Sequence, residues 1–581
     1  VKKVLIAVAA IAAAGTAYLY NKQDSSVSNV QSLESPALSY VPAETLFFSG
    51  QLKPFPLKKY ITLFSKNEAN HQQLDSIVTE LSTGEHSGQK FLVSLLETYR
   101  DTINSPDLLM QNYGVEDSFS SLFYTVGLLP VMRYEISKPE ALWAMLDKAQ
   151  KASGIKVKVN TSSGIEYKSY TLYEEDNQVI ELTAAVNNGW ATVTFNTPVN
   201  DQKQLELALA INKPESSLEN THLLNKMVTK YGFDSAYLGF FNHVALVNGL
   251  TNKDNNQFSQ MFNKMLTLAN TKTDTNTLDV FRDKACQDDL STIVNNWPRT
   301  VFGTKAFNVS QSSLNLKASM IIESENTELM QVLSGLRGFL PEHLHSAKDK
   351  IMSFGLGLDV AKVTPVLTTL WNDFTQTKYQ CTPLVEMQAE VAKNSPMMTA
   401  MVTGMATDVK GLSVSLFDFE LSTENNKPEL KTLDALMTFS VKNPISFFNS
   451  IKAFYPPFSN LKLEADGTSV ALNEYLPILT EFGVNLELAV KGDNIVLLSG
   501  NKALEVSQSL IKQSLVNNGV NSFSLDYKKF FTPLFDVAAM AGQELPSELE
   551  SLKNTDMRIH FLMDYTNNGI EFNSTMDSEV N

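Results

Sequence analysis

Val484–Ser499, VNLELAVKGDNIVLLS, decides the fold. Two apolar runs flank Gly492-Asp493-Asn494, residue types that tolerate φ > 0, so a β-hairpin is expected there. Glu181–Phe195, ELTAAVNNGWATVTF, carries an earlier version that turns at Asn187-Asn188-Gly189. Each hairpin runs into a helical segment, from Asp201 in the first case and from Asn501 in the second. The motif therefore occurs twice, and its surroundings recur with it.

Outward from the hairpins, landmarks match at a nearly fixed offset. Phe354-Gly355-Leu356-Gly357-Leu358 answers Phe48-Ser49-Gly50-Gln51-Leu52 at 306 residues, and Asn443-Pro444 answers Lys138-Pro139 at 305. Gly492 answers Gly189 at 303, and the helix from Asn501 answers that from Asp201 at 300. The ordered drift predicts a duplication, with a period far too long for a solenoid. Leu122–Leu129 and Val131–Ile136 are expected as strands around Pro130. Glu140–Ala152 follows as a helix with proline in its first turn and Gly154 at its end. Ala236–Val247 is mostly apolar and suggests another strand pair. Leu314–Glu323 is expected to be a strand leading into helix 326–337, and Arg558–Asp564 and Gly569–Asn573 a final pair.

Antiparallel hairpins interleaved with amphipathic helices, without strict βαβ alternation, give an α+β class. The expectation is two related modules of antiparallel sheet with helices packed on one face, after an N-terminal apolar helix. The segments are a signal or anchor at 1–22, a linker at 23–39 and a first module at 40–250. Connecting helices and a closing strand occupy 251–345, and a second module 346–581.

The chain has 581 residues, 43% of them hydrophobic and 19% charged, the balance of a folded globular protein. Its net charge is −16, from 63 acidic and 47 basic residues, with no basic cluster that would track phosphates. Nucleic acid is therefore not an expected partner. The two cysteines, Cys286 and Cys381, lie far apart and outside any C-x-x-C motif. Export would permit one disulfide between them; the alternative is two buried thiols.

Lys2-Lys3 precede Val4–Tyr20, VLIAVAAIAAAGTAYLY, an uncharged run that marks an export segment. Its length and the Tyr18, Tyr20 and Lys22 finish suit a retained anchor in the cytoplasmic membrane, with the rest facing the periplasm. A cleaved signal peptide and a soluble periplasmic protein are the alternative. The Ser-rich Asp24–Ser39 serves as a linker.

Phosphate-binding glycine motifs, H-E-x-x-H and Gly-x-Ser-x-Gly are all missing, so neither a cofactor nor a metal is expected. Gly355 and Gly357 lie in a strand, where close backbone packing is the reading taken. His343-x-His345 lacks a third ligand at fixed spacing and is taken as a solvated loop or helix start. Met397, Met398, Met401 and Met405 have nearly helical spacing and are taken as an ordinary packed helix, with a soft binding surface as the alternative. The remaining binding candidates are aromatic, proline-stiffened segments: Phe55 in KPFPL, and Phe454, Tyr455 and Phe458 in FYPPF. They could rim a groove for a lipid or a partner segment, the alternative being core lids over a sheet end.

Tyr40-Val41-Pro42-Ala43-Glu44-Thr45-Leu46-Phe47, after an anchor and polar linker, resembles the start of a bacterial envelope family of uncharacterised function. Members of that family open their exported part with a Pro-Ala-acidic-Thr run. The resemblance implies repeated α+β modules and brings no catalytic residues. The resulting expectation is a membrane-anchored periplasmic protein that binds a hydrophobic ligand or another envelope protein. An envelope hydrolase with an unrecognised active site and a structural scaffold or assembly factor are the alternatives.

Overall fold

The computed structural model describes residues 35–579 apart from 65–67, 85, 103–104, 176–177, 235–236, 269–274, 311, 425–426, 477–483 and 541–555. The chain is α+β, with antiparallel strands and intervening helices. It divides into two compact units. Unit 1 comprises residues 1–323, 380–383 and 580–581; unit 2 comprises 324–379 and 384–579. The apolar stretch Val4–Tyr20 lies outside the described residues. Among those described, no helix is long and apolar enough to cross a membrane.

Unit 1 contains β1 (Phe47–Phe55), β2 (Phe119–Val126), β3 (Leu129–Glu135), β4 (Val157–Ser162), β5 (Ile165–Glu175), β6 (Gln178–Asn187), β7 (Trp190–Asn196), β8 (Tyr237–Asn242), β9 (Arg299–Val309) and β10 (Ser313–Glu323). Antiparallel pairing gives the order β4-β5-β6-β7-β3-β2-β1-β8-β9-β10. The β6–β7 turn is the expected hairpin turn, with Asn188 and Gly189 at φ 51° and 75°. Both left-handed residues suit a two-residue turn that follows the sheet's twist. The β2–β3 turn falls at Gly127 (φ 58°), so Pro130 sits inside β3 opposite Thr125 rather than between the strands.

One face of this sheet forms the core. Phe48, Leu122, Tyr124, Val131, Leu238, Phe240 and Val301 pack there with Leu207, Leu224 and Met227 from helices, and with Ala37, Leu38 and Val41. The stretch expected as a strand pair at 236–247 is one strand and one helix. β8 ends at Asn242, whose side-chain oxygen accepts from the Ala245 N–H at 3.0 Å and starts helix His243–Thr251. An N-cap thus overrides an apolar run with no clear period. The cysteines are joined: Cys286, on helix Lys284–Asn296, is bonded to Cys381.

Unit 2 contains β11 (Met352–Gly357), β12 (Val409–Glu424), β13 (Lys427–Val441), β14 (Val470–Ala471), β15 (Glu487–Val490), β16 (Asn494–Ser499), β17 (Asn521–Asp526), β18 (Met557–Thr566) and β19 (Gly569–Glu579). Their order is β14-β15-β16-β13-β12-β11-β17-β18-β19, again antiparallel throughout. This is the unit 1 order without β4, strand for strand. The β15–β16 turn has Gly492 at φ 60° and is closed by Lys491 N–H to Asn494 O at 2.8 Å. Helix Pro139–Ser153 in unit 1 and helix Pro444–Ile451 in unit 2 each begin with proline directly after β3 and β13, the third strand of each unit along the chain. Their N-caps, Lys138 (φ −128°, ψ 79°) and Asn443 (φ −128°, ψ 78°), adopt one conformation.

Candidate functional site

Alternation along the strands of unit 2 separates two faces with opposite chemistry. In β11, Met352-Ser353-Phe354-Gly355-Leu356-Gly357, the small residues are buried and Phe354 and Leu356 are exposed. Ser353 lies opposite Ser415 of β12 and Ser524 of β17, and Ser524 opposite His560 of β18. One row further, Gly355 lies between Ser413 and Ser522, with Thr438 beyond Ser413. All these serines, Thr438 and His560 are buried.

Over Gly355, Ser415, Ser522 and His560 lies the segment Arg337–Lys350, a strap. A Cβ added to Gly355 would come within 2.4 Å of Leu344 Cδ1 and 3.0 Å of Leu340 Cδ2. A Cβ on Gly338 would lie 2.0 Å from Lys410 O. Small residues are required where backbone approaches backbone this closely. Hydrogen bonds then fix the strap. Ser522 Oγ donates to Leu344 O at 2.8 Å, and His560 Nε2 lies 2.8 Å from the same carbonyl. Because a carbonyl only accepts, His560 carries a proton on Nε2. Asn518 pairs with both backbone groups of Leu340, at 2.7 and 2.8 Å. His343 Nε2 bonds Ser415 Oγ at 3.1 Å, and Lys350 Nζ donates to the carbonyls of His343 and Ser346.

This Ser–His–Lys group resembles a catalytic set in composition only. Ser353, Ser522 and Ser524 are closed to solvent, so no substrate carbonyl reaches a hydroxyl. Burial lowers the His343 pKa to about 3 and that of Lys350 to about 8, so the imidazole is neutral at ordinary pH. The group is a latch on the strap. His343 lies in the short 3-10 helix Glu342–His345 of the strap, half-buried against Ser415, whereas His345 is exposed. The expected solvated loop or helix start therefore holds for His345 but not for the His343 side chain. Among the described residues, no His, Cys, Asp or Glu side chains group as three metal ligands.

The opposite face is apolar. Phe354 lies opposite Val414 and Phe523, Phe523 opposite Phe561, and Leu356 opposite Leu412. Helix Tyr527–Met540 packs against β12, β17 and β18, and helix Val360–Gln376 against β12. Even so, Phe354, Leu356 and Phe561 remain 41%, 36% and 45% exposed, on inner strands of a sheet. Inner strands often bury such residues, so this uncovered apolar stripe is the candidate site of unit 2.

Of the sequence candidates, Phe55 is buried in unit 1, with its ring centroid 6.1 Å from Tyr60 and 6.4 Å from Phe307. Phe454, Tyr455 and Phe458 share one segment of unit 2. Phe454 is 70% exposed, while Tyr455 and the half-buried Phe458 meet edge-to-face at 4.8 Å. Met397, Met398 and Met401 are 70–79% exposed, which corrects the packed-helix reading. Phe354, Leu356 and Phe561 were absent from the sequence candidates. Their signal is the alternation of Ser or Gly with large apolar residues in MSFGLG, GLSVSLF and NSFSL. Gly355 and Gly357 do pack closely against backbone and leucine side chains, as expected.

The chain matches no protein-family model, no curated protein and no solved structure.

Proposed function

We propose that the chain is an exported, membrane-tethered protein of the cell envelope that binds a hydrophobic ligand on the apolar sheet face of unit 2. The observation that carries this reading is the exposure of Phe354, Leu356 and Phe561 on inner strands. Completing the burial of each would contribute about 1 kcal/mol, enough in sum for a ligand with an acyl chain to bind measurably. The Cys286–Cys381 disulfide supports an oxidising compartment. Val4–Tyr20 supplies the tether and orients the remainder toward the periplasm. The shared strand order and the paired helix starts at Pro139 and Pro444 support descent of both units from one duplicated module.

The test is a native mass spectrum of the protein released from the periplasmic side without detergent. An added mass that leaves on denaturation and fragments as a lipid supports the reading. It should fall by about tenfold in occupancy when Phe354 and Phe561 are both changed to serine, from the lost burial. A bare mass in the unaltered protein, with crosslinks from β11 and β18 to a second envelope protein, would assign the face to a protein partner instead.

A further inference from the structure

Two apolar tips leave the same end of the β12–β13 hairpin. Val409 opens β12 and pairs with Val441, which closes β13. Asn443 Nδ2 donates to Asp408 at 2.8 Å, and Lys442 N–H to Asp408 O at 3.1 Å, so the two exits are tied together. Before Asp408 lies the first tip, with Met397, Met398 and Met401 exposed. Beyond Lys442 lies the second, with Ile451, Phe454 and Tyr455 exposed.

Both tips are anchored. Thr364 Oγ1 is 3.0 Å from the hydroxyls of Thr399 and Thr403, which holds the methionine helix. Phe448 is buried in a core with Val441, Leu461 and Ile495, which holds helix Pro444–Ile451. Outward-facing Met and Phe on anchored turns are thus a built feature. Charge is uneven between the tips. Residues 442–463 of the second tip contain Lys442, Lys452 and Lys462 and no carboxylate, in a chain of net charge −16, whereas Lys393 beside the first tip pairs with Glu390 at 2.5 Å.

We propose that these tips dock unit 2 on an anionic bilayer surface, with Met398, Met401 and Phe454 entering the interface and the lysines facing headgroups. Protruding apolar side chains with lysines along the second tip match that interface, whereas a flat apolar patch would suit a protein. The inference rests on the envelope location proposed above, but not on ligand binding by the sheet face.

The test uses the full chain. Both native cysteines are in the disulfide, so a polarity-sensitive fluorophore can be placed at Met398→Cys, at Phe454→Cys, or at Leu108→Cys in unit 1 as control. Vesicles of phosphatidylglycerol and phosphatidylethanolamine should shift both tip probes to the blue and leave the control unchanged. Phosphatidylcholine vesicles should not. Reversing Lys442, Lys452 and Lys462 to glutamate should raise the lipid needed for half the shift by about tenfold or more. Tip probes that stay water-like while the chain sediments with vesicles through its N-terminal segment would overturn the proposal and leave the sheet-face reading standing. A concentration-dependent blue shift without lipid would overturn it in favour of a second copy of the chain.

Discussion

The strap-side faces of the two units are inverted in chemistry. β1 and β11 occupy the same place in the strand order, and Gly50 and Gly355 both lie on the face that receives the preceding segment. In unit 1 that face carries Phe48, Leu122, Tyr124, Leu238, Phe240 and Val301 under Ala37, Leu38 and Val41. In unit 2 the corresponding positions are Ser353, Ser413, Ser415, Ser522, Ser524 and His560 under Leu340 and Leu344. Unit 1 seals that face with large side chains, while Phe47, Phe123 and Phe302 stand half-buried on its other face. Unit 2 places serines and His560 beneath the strap, holds the strap with hydrogen bonds, and turns Phe354, Leu356 and Phe561 to the other face. One strand order can therefore hold its covering segment by dispersion or by polar latching, and in unit 2 the latched arrangement leaves Phe354, Leu356 and Phe561 exposed on the opposite face.

The largest test of the contrast is to give unit 1 the chemistry of unit 2. Phe48→Ser should destabilise unit 1 by about 3–5 kcal/mol, because a buried aromatic is removed and a cavity left. Guanidinium unfolding, with hydrogen exchange read in peptides of each unit, checks it. Equal loosening of both units would break the comparison.

Acid and alkali should separate the units next. In unit 2 the folded-state pKa of His343, about 3, lies below its ordinary value, and burial also lowers that of His560. The unfolded chain then takes up protons that the folded unit refuses, so stability falls by a few kcal/mol as pH drops from about 6.5 toward 3. Lys350, lowered to about 8, has the same sign and favours the folded unit as pH rises from about 8 to 10. In unit 1 burial raises Tyr60, Tyr99, Tyr113 and Tyr134. A raised folded-state pKa contributes stability that is lost above about pH 10. Unit-resolved exchange across pH 4–11 should show unit 2 weakening in acid and unit 1 in alkali, with the acid slope reduced in His343→Gln. The smallest change is Ser522→Ala, which removes one latch bond to Leu344 and should cost about 1 kcal/mol, seen as faster exchange in the strap.

Much of this arrangement is legible in the sequence. Asn-Asn-Gly and Gly-Asp-Asn mark turns because few residues tolerate positive φ, and proline at a helix start fixes Pro139 and Pro444. The offset between β1 and β11 is less secure. The landmarks suggest 306, whereas matching Gly50 to Gly355 by face gives 305, and one residue exchanges the faces of a strand. The strap is opaque because FLPEHLH has no period and its partners are distant serines. Disulfide pairing is equally opaque, since Cys286 and Cys381 meet only through the fold. The outward stripe is written in the serine alternation, but its direction depends on which face the strap covers.

The most direct test is photoaffinity labelling with a diazirine-bearing acyl chain, followed by peptide mapping of the full chain. Labels on Met352–Gly357 and Met557–Thr566 that disappear in Phe561→Lys, with β1 and β2 unlabelled, are the predicted result. Absent labelling, or labels that survive Phe561→Lys and lie elsewhere, would contradict the assignment of unit 2's apolar face as the binding surface.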